Sequence, residues 1–216
     1  MNLKELAASR ALEEVESGMR LGLGTGSTAA FFVRLLGERL KSGDLKDIRG
    51  VPTSQETARL AQEAGIPLSN LGELGELDLA VDGADEVDPH LNLIKGLGKA
   101  LLREKIVEIH ARRFLVVVDE SKRVEGLGRG PLPVELVTFQ WEALLNWLNG
   151  LGGRAELWRE PAGGPVVTDN GNYLARLWFE GGIQDPYALA QKLAFQPGIV
   201  EHGLFLDMAT QVSVAG

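Results

Sequence analysis

Acidic, basic and glycine residues that could together move a proton on a small anion are concentrated in the middle of this chain. Asp82 and Asp85 follow the apolar run 77–81, a glycine-containing stretch begins at Lys95, and Glu104 falls in the first turns of a predicted helix. Carboxylates can carry protons, and a lysine can neutralise a developing oxyanion. The combination predicts proton transfer on a small anionic substrate without a metal.

A second glycine-rich segment, from Gly22 to Thr28, could hold a phosphate group. Glycines let the backbone approach a ligand, and the start of the following helix offers unpaired N–H groups to an anion. Ser27 and Thr28 add hydroxyl donors. The spacing is Gly-x-Gly-x-Gly rather than the Gly-x-Gly-x-x-Gly of dinucleotide-binding folds, and the segment lacks the lysine of a P-loop. The structural alternative is a tight strand–helix turn capped by Ser27.

Four basic residues stand close together in a chain whose formal net charge is −8. They are Lys95, Lys99, Arg103 and Lys105. Because the net charge repels anions, local cations would have to hold an anionic substrate. Cations are unfavourable at a helix N-terminus, where the helix dipole is positive. Their position therefore favours a bound anion over a merely solvated basic helix start.

Glu104 has no basic neighbour three or four residues away on its predicted helix, so it is not half of an ordinary surface ion pair. Its neighbours at that spacing include the apolar Leu101 and Val107 and the like-charged Glu108. Both kinds of neighbour would raise the pKa of a carboxyl group and make it a better general base near neutral pH. The alternative is an exposed helical glutamate.

The acidic segment that begins at Asp82 has two other interpretations. The first is a polar loop in which Asp85 caps a helix. The second is a magnesium site, because Asp82, Asp85, Glu86 and Asp88 are oxygen ligands, although their spacing is not that of a calcium loop. Our prediction is hydroxyl binding and proton transfer at the carboxyl end of a strand, where open α/β sheets bind ligands.

Composition excludes several classes of protein. The chain has 216 residues and no cysteine, which rules out disulfides, thiolate catalysis and cysteine-bound metal. The negative net charge argues against a nucleic-acid partner. The first residues lack the apolar core of a signal peptide, and no apolar run approaches the ~20 residues of a membrane span. We expect a cytoplasmic protein without a membrane partner.

The order of elements predicts an α/β fold followed by a smaller domain. Unbroken apolar runs such as 114–118 alternate with helical patterns, which is typical of a parallel sheet buried on both faces. After a Gly/Pro linker, strands, a helix and the Asn170–Gly171 hairpin signal between 166–167 and 173–179 predict a small α+β domain with an antiparallel sheet. We predict one domain from 1–125 plus 200–216, with a strand at 203–206 returning to it, and a second at 126–199. Helices are predicted over 2–17, 29–40, 54–64, 101–111, 141–148 and 186–195, and a strand from 157 onward.

Eight ordered segments make the chain similar to the ribose-5-phosphate isomerase A family, and the resemblance covers nearly its whole length. The segments are 24–28 (GTGST), 82–86 (DGADE), 95–98 (KGLG), 103–106 (REKI), 121–122 (SK), 130–135 (GPLPVE), 167–172 (VTDNGN) and 197–205 (PGIVEHGLF). An ordered set of this kind is far more specific than any one motif.

The resemblance implies interconversion of ribose 5-phosphate and ribulose 5-phosphate through an enediol(ate), with no metal and no cofactor. It implies that Glu104 is the base, that Asp82 and Asp85 act on sugar hydroxyls and ring opening, and that Lys95 stabilises charge at the reacting oxygens. It also implies a Rossmann-like catalytic domain and a small domain that forms homo-oligomers, a dimer or tetramer. The implied substrate-binding residues are Thr25, Gly26, Ser27, Thr28, Asp82, Gly83, Ala84, Asp85, Lys95, Gly96, Leu97, Gly98, Lys99 and Lys122.

Two residues depart from the family pattern. Leu97 interrupts a run that is commonly all glycine, and Lys99 stands where a small residue is common. We expect Leu97 to leave backbone recognition intact, because Gly96 and Gly98 remain, and Lys99 to add a phosphate contact.

Three other functions compete with this interpretation. One is a non-enzymatic sugar-phosphate sensor, since related sheets serve as effector domains of transcription regulators, but we find no basic DNA-binding segment in this sequence. Another is a metal-dependent sugar phosphatase with Asp82 as nucleophile. The third is an isomerase of a neighbouring sugar phosphate, because a sequence does not display hydroxyl stereochemistry.

Overall fold

The computed structural model describes residues 2–216, and contacts within the chain divide it into two compact units. Unit 1 contains residues up to 84, 103–122 and 208–216, and unit 2 contains 85–102 and 123–207. The helices are Leu3–Leu12 (α1), Ser27–Ser42 (α2), Gln55–Ala64 (α3), Leu71–Leu74 (α4), Leu101–Glu108 (α5), Trp141–Asn149 (α6) and Pro186–Phe195 (α7), with a 3₁₀ turn at Glu120–Lys122. The strands are Arg20–Leu23 (β1), Arg49–Pro52 (β2), Leu79–Asp82 (β3), Glu86–Val87 (β4), Leu93–Ile94 (β5), Phe114–Asp119 (β6), Leu132–Leu136 (β7), Arg154–Leu157 (β8), Tyr173–Trp178 (β9), Ile199–His202 (β10), Leu204–Phe205 (β11) and Gln211–Ala215 (β12).

Unit 1 is built on a five-stranded parallel sheet in the order β12-β6-β3-β1-β2. Its central strands are apolar on both faces, as in Leu79 to Val81 and Phe114 to Val118, because helices cover both sides. Since all five strands run the same way, the segments that follow β1, β2, β3 and β6 meet at one edge of the sheet. These segments contain the glycine-rich loop and the 3₁₀ turn that ends at Lys122, and Asp82 is the last residue of β3 at the same edge.

Capping residues set the ends of α3 in unit 1, and apolar packing sets the direction of α2. Ser54 caps α3 by accepting a hydrogen bond from the Thr57 amide at 3.0 Å, and Gly65 ends the same helix in a left-handed conformation with φ +78°. Phe32, Val33 and Leu36 form the buried face of α2 against the sheet. This packing fixes the direction of the α2 N-terminus, which begins at the glycine-rich loop.

Unit 2 contains two antiparallel sheets. A four-stranded sheet in the order β10-β7-β9-β8 packs against α6 and α7 through residues such as Leu148, Leu177 and Leu193. A three-stranded sheet in the order β11-β5-β4 holds the segment that leads into Lys95. Glu86 on β4 is buried, and its two carboxylate oxygens accept hydrogen bonds from the amides of Gly128 at 2.7 Å and Gly130 at 2.5 Å.

The predicted fold class is confirmed: a parallel α/β sheet is combined with a smaller antiparallel α+β part. The compact units differ from the predicted domain boundaries in three segments, because 85–102, 123–125 and 200–207 belong to unit 2. The physical reason is that β5 pairs with β11, which is about a hundred residues later. It is β12 rather than 203–206 that returns to the parallel sheet.

Three local predictions need correction. The first helix ends at Leu12 rather than near residue 17, and the strand expected from 157 onward ends at Leu157. The Asn170–Gly171 turn forms, with Gly171 at φ +78°, but 166–167 contributes only an isolated bridge from Val167 to Tyr173. The partners of β9 are β7 and β8 instead. Across residues 2–216, none of the helices combines the length and apolar character that a bilayer span requires.

Candidate active site

The glycine-rich loop of unit 1 connects the end of β1 to the start of α2, as expected. A Cβ at Gly24 would lie 2.2 Å from the Asp82 carboxyl, so only glycine fits there. Gly26 has φ +104° and is the N-cap of α2, with Ser27 as the first helical residue. Ser27 therefore does not cap the helix, and the first amides of a 16-residue helix open beside exposed Gly26 and Ser27. This arrangement can bind an anion.

Asp82 fastens this loop to the neighbouring strand. The residue ends β3 and is 1% exposed. Its Oδ1 accepts hydrogen bonds from the Thr25 amide at 3.0 Å and the Gly83 amide at 2.6 Å. Asp82 thus orients the backbone of two predicted binding segments at once.

Thr25 and Thr28 differ in their surroundings. The Thr25 hydroxyl lies 2.7 Å from the Thr53 hydroxyl and is buried, so it points into the protein. Thr28 is half-buried in the first turn of α2. Residues 25–28 are all predicted to bind substrate, but the side chain of Thr25 makes internal contacts.

Lys4 is a basic residue beside the glycine-rich loop that the sequence interpretation missed. Its Nζ donates a hydrogen bond to Ser27 Oγ at 2.8 Å, although 23 positions separate the two residues. The pKa of Asp119 is held below its ordinary value first by the Ser121 hydroxyl, then by the Ser121 amide and by the positive charges of Lys122 and Lys4. Lys4 and the predicted Lys122 therefore both place positive charge near Asp119, and Lys4 extends it to Ser27.

Glu104 is only 2% exposed, which contradicts the alternative of an exposed helical glutamate. It lies in α5, whose buried Val107 packs so closely on β1 that a Cβ at Gly22 would be 2.9 Å from Val107 Cγ1. Burying a carboxylate is unfavourable unless the protein compensates it, and such groups are concentrated at functional sites. Its burial agrees with the predicted role as a general base.

Asp85 and the glycine-containing stretch lie together in unit 2. Asp85 Oδ2 accepts a hydrogen bond from the Leu97 amide at 2.9 Å, so Asp85 supports this loop instead of capping a helix. Gly96 has φ +109°, and a Cβ there would lie 2.8 Å from Leu101. Gly98 is exposed on the same turn, whose Lys99 amide donates to the Gly96 carbonyl.

Lys95 is 2% exposed, which is rare for a lysine. Its amide donates to the Gly203 carbonyl at 2.9 Å, and its Nζ lies 5.5 Å from the centre of the buried Phe205 ring. A cation over an aromatic face is stabilised by the ring quadrupole. Gly203 therefore holds the backbone of Lys95, and Phe205 of β11 contacts its ammonium group.

The acids proposed as an alternative magnesium site serve backbone amides. Asp82, Asp85 and Glu86 accept the bonds described above, and Asp88 Oδ1 accepts from the amides of His90 and Asn92. In the part of the chain that the structure describes, no three His, Asp or Glu side chains converge in a way that would hold a metal ion. The local geometry thus favours loop positioning by these carboxylates.

A comparison with models of protein families shows which family this chain belongs to. The family model of ribose 5-phosphate isomerase A (phosphoriboisomerase A) matches residues 49–216. The chain belongs to this family. A ribose-5-phosphate isomerase A of Roseiflexus castenholzii is 56% identical over 97% of this chain and 90% of its own length.

The folds of solved ribose-5-phosphate isomerases match the fold of this chain over nearly its whole length. One, in complex with phospho-erythronic acid, has 45% identity and a TM-score of 0.94, and the match covers 99% of this chain and 96% of that chain. The ribose 5-phosphate isomerase A of Methanocaldococcus jannaschii has 41% identity and a TM-score of 0.94, covering 99% and 94%. These proteins share the architecture of both units.

The structure shows the local surroundings of both departures from the ribose-5-phosphate isomerase A pattern. Leu97 is partly exposed, and its amide, rather than its side chain, binds Asp85. Lys99 adopts φ +66°, a conformation that favours glycine. Its Nζ lies 2.7 Å from Glu160 Oε1 and 5.7 Å from the Trp158 ring centre. The structure gives Lys99 a partner within unit 2, and its predicted phosphate contact stays a prediction.

Proposed function

We propose that this chain interconverts D-ribose 5-phosphate and D-ribulose 5-phosphate by proton transfer through an enediol(ate). The observation that carries the proposal is the burial of Glu104 in α5 of a ribose-5-phosphate isomerase A family member. A buried carboxylate without a metal ligand role suits the removal of a weakly acidic C–H proton.

The proposed reaction balances without a cofactor. Glu104 removes the proton from C2 of the open-chain aldose and returns it to C1, while a proton passes from the oxygen on C2 to the oxygen on C1. Lys95 stabilises the negative charge that develops on these oxygens. Asp82 and Asp85 bind the sugar hydroxyls and assist ring opening. The C–H hydrogen that reaches C1 can exchange with solvent while Glu104 holds it.

Phosphate binding is proposed at the start of α2. Amides at the N-terminus of a helix bind phosphate, and the helix dipole adds to the attraction. Ser27, Thr28 and Gly26 would supply the nearest donors, and Lys4 and Lys122 the positive charge. Gly83, Ala84, Gly96, Leu97, Gly98 and Lys99 remain proposed contacts to the rest of the substrate.

An assay with ribose 5-phosphate in D₂O, in buffer treated with a metal chelator, tests the proposed function. We expect ketose to form with deuterium at C1, and activity to survive chelation. Loss of activity that magnesium restores would instead favour the metal-site interpretation. Release of inorganic phosphate would support a phosphatase, and binding without turnover would support a sensor. Ribose 5-phosphate should also be converted faster than other pentose or hexose phosphates.

Substitution of Lys4 with methionine tests the phosphate site. We expect KM for ribose 5-phosphate to rise about 10- to 100-fold with kcat changed by less than about threefold, because a charged hydrogen bond is worth about 1.5–3 kcal/mol. The measurement is steady-state kinetics. Lys41→Met, which removes the same charge from the last turn of α2, is the control and should leave KM unchanged. Equal effects of the two variants would contradict the assignment of Lys4.

The oligomeric state and cellular location of the protein are also part of the proposal. We propose a cytoplasmic enzyme of the non-oxidative pentose phosphate pathway that forms a homodimer or tetramer. Two large apolar side chains of unit 2, Phe139 and Phe195, are each 78% exposed, and a second copy that covered them would remove apolar surface from water. Light scattering coupled to size-exclusion chromatography would distinguish these assemblies from a monomer.

A further inference from the structure

Four hydroxyl groups form a compact cluster beneath the glycine-rich loop of unit 1. Thr25 Oγ1 lies 2.7 Å from Thr53 Oγ1, 2.9 Å from Ser54 Oγ and 3.2 Å from Thr57 Oγ1. All four residues are buried. Thr25 belongs to the loop after β1, whereas the other three belong to the junction between β2 and α3. The cluster therefore joins the ends of two neighbouring parallel strands.

The hydrogen bonds of this cluster have a consistent direction. The Thr25 hydroxyl donates to Ser54, the Ser54 hydroxyl donates to Thr57 at 3.0 Å, and the Thr57 hydroxyl donates to the Gly24 carbonyl at 2.9 Å. The chain of donors starts at Thr25 and returns to the residue before it. Hydrogen bonds in such a chain polarise and strengthen one another. This closed chain of hydrogen bonds thus holds the carbonyl of the peptide between Gly24 and Thr25.

Other bonds hold the same peptide from the opposite end and anchor the cluster. The Thr25 amide donates to Asp82, and the Thr53 hydroxyl donates to the Leu23 carbonyl at 3.1 Å. Ser54 also caps α3 by accepting a hydrogen bond from the Thr57 amide. The hydroxyl groups of Ser54 and Thr57 therefore belong to a helix end whose backbone is held in place. The loop that leads into α2 is consequently held by side chains on two sides.

We infer that Ser54 and Thr57 are positioning residues that hold the 24–25 peptide so that the first amides of α2 face the substrate phosphate. The same geometry assigns to the Thr25 side chain an internal positioning role in place of a substrate contact. This inference rests on the proposed function, because it names the group that the loop would bind. It adds a role for the segment 53–57, which the family resemblance did not place in the site.

Substitution of Thr57 with valine is the test, because valine keeps the shape and removes the hydroxyl. We expect KM for ribose 5-phosphate to rise about tenfold, with kcat within about twofold of wild type, since a lost hydrogen bond to a buried carbonyl misplaces the anion site without touching the reacting carbons. The inhibition constant of inorganic phosphate should rise by the same factor. Thr57→Ser keeps the hydroxyl and should restore both values.

Thr168→Val is the matched control. Thr168 is also buried, and its hydroxyl donates to the Glu135 carboxylate at 2.9 Å within unit 2. Both valine variants are expected to lower the thermal midpoint, but only Thr57→Val should raise KM and the phosphate inhibition constant. If Thr57→Val does not fold, Thr53→Val removes a neighbouring hydroxyl and should give the same KM effect.

Two results would overturn the inference. One is a kcat loss in Thr57→Val with unchanged KM, and the other is an equal KM change in Thr57→Val and Thr168→Val. If the wild-type chain does not convert ribose 5-phosphate, the proposed function fails by itself. Calorimetric titration of inorganic phosphate then still tests the loop, and weaker binding to Thr57→Val than to Thr168→Val is the result that supports it.

Discussion

Substitution of Glu104 with glutamine is expected to lower kcat by about 10²–10⁴ or more, because a positioned general base contributes that much to the rate of a proton transfer. Glutamine keeps the size and the hydrogen-bonding ability of the side chain but cannot accept the C2 proton. Substrate should still bind, so KM should change little. Steady-state kinetics and isothermal titration with ribose 5-phosphate measure the two effects separately.

Glu108→Gln is the control for this experiment. Glu108 lies one turn later in α5 and is also buried, so the same substitution carries a similar risk of destabilising the helix. We expect kcat of Glu108→Gln to stay within about threefold of wild type. Near-full kcat in Glu104→Gln would mean that another group removes the proton.

Substitution of Lys95 with methionine is expected to lower kcat by about 10²–10³, the typical effect of removing one group that stabilises a developing oxyanion. Methionine has a similar length and can still pack on Phe205, so the loss would reflect the charge rather than a cavity. Lys95→Arg should not restore the rate, because the site is 2% exposed and a guanidinium group is larger and planar. The measurement is kcat with saturating ribose 5-phosphate.

Lys192→Met, on the exposed surface of α7, is the control for charge loss in unit 2. It should leave kcat unchanged. Circular dichroism and thermal melting of the variants establish that they are folded. Wild-type kcat in a folded Lys95→Met variant would remove Lys95 from the catalytic assignment.

The parallel sheet could be predicted because its signals are local. The run Phe114 to Val118 is apolar at every position, which is typical of a strand covered on both faces. Gly65 directly follows the helical pattern of 54–64, and the structure shows it ending α3 in a left-handed conformation. The division into units could not be predicted in the same way. The segment 85–102 belongs to unit 2 because β5 pairs with β11, and such a long-range pairing leaves no periodic pattern near residue 93.

The contacts within the candidate site could not be predicted from local sequence either. The types of residue in 82–86 and 95–99 predicted chemistry, but not which oxygen binds which amide. Asp82 and Asp85 each fasten a loop through backbone amides, a task that any acid at the end of a strand could perform. Lys4 was missed because its contact with Ser27 depends on how α1 packs beside α2, and nothing in the first helix distinguishes that lysine from a solvated one.

The two amide bonds to Glu86 bear on how this chain can be re-engineered. The Gly/Pro composition of 126–133 would recommend it for grafting an insertion or for opening new termini, since exposed flexible segments tolerate such changes. Yet Gly128 and Gly130 supply the amides that compensate a buried carboxylate. Cutting or lengthening the backbone there would leave that charge without its donors, at a cost of about 1–3 kcal/mol or more. The exposed turn at 162–164 offers a safer place for a graft.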